Sequence, residues 1–77
     1  MSTQHETVVH IRCFSDCLRI NRIAKECQSI VLIDRNGNQA NAQSLLSMMS
    51  LDYTGKIRII ASSGEELFAV SNALTLQ

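Results

Sequence analysis

Apolar and polar residues alternate over residues 7–13, where Val9, Ile11 and Cys13 interleave with His10 and Arg12. A period of two predicts a half-buried strand. His10 then falls on its polar face, and His5 precedes it in a tail prone to fray. Ser15 and Asp16 can each cap a helix. Beyond them Cys17, Ile20, Ala24 and Cys27 recur at helical spacing, widened by Ile23, with Arg19, Arg22, Lys25 and Glu26 largely on the other side. This pattern predicts a first helix over about residues 16–28.

Ile30-Val31-Leu32-Ile33 is short and β-rich, a second strand within residues 29–34. Asn36-Gly37 predicts a hairpin through a type I′ turn, in which both residues take positive φ. Residues 38–42 return as a short polar strand suited to a sheet edge. Ser44 caps a second helix running to about Ser50. Residues 52–55 form a loop, and Ile57 and Ile59 alternate with Lys56 and Arg58 in a strand over 56–62. Ser63 and Glu66 have the spacing of a capping box, with Glu65 also near the positive helix end. Leu67, Val70, Ala73 and Leu74 form the inward stripe of a third helix. The order is β-α-β-β-α-β-α, and the economical packing is one sheet covered on one face by the helices, an α+β fold.

The chain has 77 residues, enough for a single domain spanning 1–77. A domain of this size buries only ~60% of its unfolded surface. Stability is therefore expected to be modest, and oligomerisation would help. Aromatics are only 4%, so the core rests on Ile, Leu, Val, Met and Ala. Seven basic residues balance seven acidic ones, which argues against nucleic-acid binding by charge and stacking. No apolar run approaches the ~18 residues of a membrane span, and the N-terminus lacks signal-peptide character. Three cysteines, Cys13, Cys17 and Cys27, have no partner pair at metal-ligand spacing and read as free thiols of a reducing cytoplasm. Cys13 and Cys27 read as small buried hydrophobes. Cys17 is either a core residue or a reactive thiol in the first turn of helix one. No metal site, phosphate-binding glycine loop or Ser-His-Asp set is visible, and no cofactor is implied.

Asn41-Ala42-Gln43-Ser44-Leu45-Leu46-Ser47-Met48-Met49-Ser50-Leu51, followed by Thr54-Gly55-Lys56-Ile57-Arg58-Ile59-Ile60-Ala61-Ser62-Ser63-Gly64-Glu65-Glu66, resembles HPr, the histidine-containing phosphocarrier of the bacterial sugar phosphotransferase system. The likeness is strong from Asn36 to Leu74 and weak before Gln28. It implies an open-faced sandwich of four antiparallel strands with three helices on one face. The family's phosphoryl acceptor is a histidine between the first strand and first helix. Here that region reads Phe14-Ser15-Asp16-Cys17-Leu18-Arg19-Ile20, without histidine, glycine or proline. Aligning the helix stripe puts Asp16 at the histidine's place; aligning the arginine puts Cys17 there and Arg19 on the phosphate-binding arginine. The relay needs an imidazole nucleophile, so the resemblance implies a non-enzymatic, regulatory or interaction role rather than a carrier's. The alternatives are a phosphocarrier using Asp16, Cys17 or His10, or a degenerate paralogue without a present role.

The resemblance makes Ser44 a candidate for an HPr-type serine kinase. A phosphoserine at a helix start adds negative charge beside unpaired N–H donors. It also makes the outer side of helix two, Leu45, Leu46 and Met49, a docking patch for phosphotransferase proteins or a transcriptional regulator, with Met48 and Leu51 pointing inward. The same patch leaves a homodimer contact open.

Overall fold

The computed structural model describes residues 5–75. Seven elements follow one another: β1 (His5–Val9), α1 (Phe14–Ala24), β2 (Ile30–Ile33), β3 (Gln39–Asn41), α2 (Leu45–Met48), β4 (Ile57–Ala61) and α3 (Gly64–Thr75). The strands form one antiparallel sheet in the order β1-β4-β2-β3. It is an α+β, HPr-like open-faced sandwich, the fold the resemblance implied.

Register divides the sheet into two faces. Leu32 lies between Ile59 on one neighbour and Ala40 on the other, and Ile30 faces Ala61. These residues, with Ile57, are buried, and Ile20, Ala24, Met48, Leu51 and Val70 from the helical layer close over them. The alternate positions Val31, Ile33 and Ile60 are only half-buried, on the face without helices. There Arg58 and Glu6, on adjacent strands, pair through two bonds of 2.8 and 2.9 Å.

Several boundaries differ from the sequence reading. β1 starts two residues earlier, so His5 pairs with Ala61 instead of lying in a frayed tail. It ends at Val9, opposite Ile57, the first residue of β4. Ile11 still turns inward and Arg12 outward, because extended chain keeps alternating after its partner strand has run out. Cys13 is exposed rather than buried. α1 begins at Phe14, two residues before the predicted start, with Cys13 at the N-cap making no side-chain capping bond. Ser15 and Asp16 therefore lie inside the helix. The Asp16 carboxylate turns back to accept the Arg12 N–H at 3.1 Å.

α1 stops at Ala24, earlier than expected, because its end is closed from elsewhere. Gln43 Nε2 donates to the carbonyls of Ala24 and Cys27 at 3.1 and 2.8 Å. Buried Asn21 donates to the Ala42 carbonyl at 2.9 Å. Cys27 is half-buried beyond the helix.

The hairpin forms, but not through a type I′ turn. Gly37 has φ of +88°, and no non-glycine residue among those described has positive φ. Gly37 N–H donates to the Asp34 carbonyl and Asp34 N–H to the Asn38 carbonyl. This is the three-residue loop in which glycine alone takes the left-handed position. The Asp34 side chain decides between the two turns. Its Oδ1 accepts from Asn36 N and Asn38 N, both at 2.9 Å, and its Oδ2 from Asn38 Nδ2 and Asp52 N at 3.2 and 3.0 Å. These bonds, the one from the Asp52 N–H foremost, hold the Asp34 pKa below its ordinary value.

Ser63 accepts the Glu66 N–H at 3.2 Å, the expected half of the capping box. The return half is absent: Glu66 instead accepts from the Ser62 hydroxyl and the Gln28 N–H, at 2.6 and 2.9 Å. It thus ties the start of α3 to the segment entering β2.

Candidate functional site

Ser44 caps α2 as expected, its Oγ accepting the Ser47 N–H at 3.3 Å. The helix lasts only four residues, and its inward side chain is Met48, fully buried, with Leu51 following. Leu46 and Met49 are left outside, 83% and 56% exposed. Leu45 is the exception to the expected outer patch: it is half-buried and packs against the core. Leu45 turns toward the layer below instead of outward.

α1 supplies a second exposed apolar pair that the sequence reading did not single out. Phe14 and Leu18 are 52% and 40% exposed. Their i,i+4 spacing puts them on one face of α1, beside the buried stripe of Cys17, Ile20, Asn21 and Ala24. That spacing was the signal in the sequence: two large apolar residues off the inward stripe.

The two helices meet at a groove of about 400 Å³, whose lining includes Ile11, Cys13, Phe14, Cys17, Met49 and Tyr53. Tyr53 braces it. Its hydroxyl donates to the Met48 carbonyl and lies against the Cys17 thiol. Burial holds the phenol well above its ordinary pKa, so it remains a neutral donor.

The residues at the matched histidine position do not form an open acceptor site. Asp16 is buried, and its Oδ1 pairs with Arg19 Nη1 at 3.1 Å. Arg19, matched to the family's phosphate-binding arginine, is thus engaged by a carboxylate. Cys17 is 4% exposed, and burial raises its pKa, contrary to a reactive thiol at this position. The residue at the strand-helix boundary is Cys13, which the sequence reading assigned to the core. Its exposed thiol lies 2.9 Å from the Ser15 hydroxyl. That hydrogen bond lowers its pKa.

His10 is exposed and lines a separate cleft of about 550 Å³ with Thr7, Val9, Arg12, Asp16 and Ser71. Ser44 and Leu46 are not among the groove's lining residues. Among the described residues, no three His, Cys, Asp or Glu side chains come together for a metal ion. No helix among them is long and apolar enough to cross a membrane. No protein-family model matches this chain, and no curated protein matches it in sequence.

Proposed function

We propose that this chain is an HPr-like regulatory or interaction module without the carrier histidine, acting in the cytoplasm by docking partner proteins through α2 and the adjoining face of α1. The partners are phosphotransferase-system proteins or a transcriptional regulator, and the role is binding rather than catalysis. The observation that carries this reading is the set of exposed apolar side chains on α1 and around α2, Phe14, Leu18, Leu46 and Met49, of which Phe14 and Met49 line the groove between the helices. Clustered exposed apolar side chains on a small domain mark an interaction surface, and methionine adapts to varied partners. Phosphorylation of Ser44 by an HPr-type kinase would place negative charge at the edge of this surface.

The alternative, a phosphocarrier using Asp16 or Cys17, finds less support, because both are buried and engaged. The deciding experiment pairs Leu46→Asp and Met49→Asp. Both variants should fold, and both should lose capture of the partner regulator or sugar-transport enzyme by the immobilised domain. Retained capture overturns the reading. Acid-labile phosphate on the wild type, after incubation with phosphoenolpyruvate and the system's first enzyme, would favour the carrier instead. Elution of the domain as a dimer that the same substitutions split would assign the patch to a second copy.

A further inference from the structure

Two thiols stand one helical turn apart at the same groove. Cys13, at the N-cap of α1, is exposed, and Cys17 forms part of the groove wall beneath it. One turn separates α-carbons by about 6 Å, within the span a disulfide bridges. The Cα–Cβ bonds of a helix tilt toward its N-terminus, which directs Cys17 toward Cys13.

The pair is also asymmetric in the way a sensing pair requires. Cys13 is open to solvent at the positive end of an eleven-residue helix, beside the Ser15 hydroxyl that stabilises its thiolate. The nearest negative charge, Asp16, opposes ionisation but is itself paired with Arg19. Cys17 is withdrawn from solvent and held as a thiol by burial. An accessible thiol with a second cysteine in reach is the arrangement that converts a sulfenic acid to a disulfide before further oxidation. Cys27 lies outside the groove, and its burial, with Glu66 beside it, holds its pKa up.

We infer that Cys13 and Cys17 form an oxidation site, in which a hydroperoxide oxidises Cys13 and Cys17 closes on it as a disulfide across the first turn of α1. The Cys13 thiolate attacks the outer peroxide oxygen. The O–O bond breaks, giving a sulfenic acid and, once protonated, water or an alcohol. The Cys17 sulfur then attacks the Cys13 sulfur, the S–O bond breaks, and a second water leaves with the remaining thiol proton. Both electrons end on the peroxide. The disulfide draws the Cys17 sulfur away from the Tyr53 hydroxyl and reshapes the groove wall. Its bearing on docking rests on the function proposed above; the oxidation itself does not.

Trypsin separates the thiols cleanly. Cleavage after Arg12 and Arg19 releases a peptide of residues 13–19 holding both cysteines, whereas Cys27 leaves on another. After treatment with hydrogen peroxide and alkylation, peptide 13–19 should be unlabelled and lighter by two hydrogens, with labelling restored by dithiothreitol. Cys27 should stay labelled throughout. Cys17→Ala should halt the reaction at a Cys13 sulfenic acid trapped by dimedone, and Cys13→Ser should reduce peroxide-dependent loss of the Cys17 thiol to background. Full alkylation of peptide 13–19 after peroxide, prior oxidation of Cys27, or a disulfide between chains overturns the assignment. Tyr53 is the single tyrosine and there is no tryptophan, so its emission reports the groove. A disulfide that leaves this emission unchanged overturns the remodelling. Leu46→Asp should oxidise like the wild type, so a failed docking surface and a failed thiol pair remain distinguishable.

Discussion

The three helices start in two different ways. Ser44 and Ser63 each give a side-chain oxygen to an N–H of the first turn, while Cys13 gives none to α1. The serines close α2 and α3 locally, with donors satisfied within four residues. α1 instead relies on Asp16, which reaches back to Arg12 and across to Arg19. A weak capping residue stands at the helix start that borders the groove, where the thiol, Phe14 and Met49 meet. The difference teaches that this start is not optimised for stability alone, as expected where a surface serves binding or chemistry.

The strongest test of that contrast sets the two faces of α2 against each other. Met48→Ala removes a fully buried side chain and should cost about 2–5 kcal/mol in urea unfolding. Met49→Ala, on the exposed face, should stay within about 0.5 kcal/mol. Equal losses would mean that the patch is structural. Next come the caps. Ser63→Ala should destabilise by about 1 kcal/mol, read as a lower thermal midpoint.

Cys13→Ser tests the same idea in reverse. Its backbone at φ −155° and ψ 167° suits an N-cap, so the new hydroxyl should stabilise the domain by a smaller amount, a few tenths to about 1 kcal/mol. Destabilisation would show that the thiol supports the fold. The smallest effect is the pH dependence. Hydrogen bonds hold Asp34 below its ordinary 3.8 and Glu66 below 4.5. Their contributions should be complete above those values and decline as pH falls through the lower folded ones. Glu66→Gln should flatten part of that acid limb in unfolding measured from pH 6 downward. An unchanged limb would remove the link between α3 and Gln28 from the stability of the fold.

Much of the fold was legible along the chain because its signals are local. The runs Ile30-Val31-Leu32-Ile33 and Ile57-Arg58-Ile59, the capping serines, and the inward Met48 and Val70 follow from period and helix-start chemistry alone. The loop departs from a type I′ turn for a non-local reason. Asn36-Gly37 tolerates it, but the Asp34 carboxylate, joined by the Asp52 N–H eighteen residues away, selects another loop. Leu45 was misplaced because a single helical turn carries too little periodicity to define a face.

The candidate site was legible only in part. Leu46 and Met49 stood out as apolar residues that one buried face could not use. The exposure of Cys13 did not, because the strand-like alternation in the sequence runs on through Cys13, past the end of β1; nor did Phe14, Leu18 and Tyr53, which meet the groove only through the packing of α1 and the loop after α2 against one another.

The sequence by itself determined which segments become strands and helices, their order, and which side chains of α3 face inward, since apolar spacing and capping oxygens act within a few residues. Only the tertiary structure decided where α1 begins and ends, which aspartates become hydrogen-bond hubs, and that Cys13, Cys17, Met49 and Tyr53 share one groove. Those outcomes depend on atoms far apart in the chain, brought together only when the helices close over the sheet.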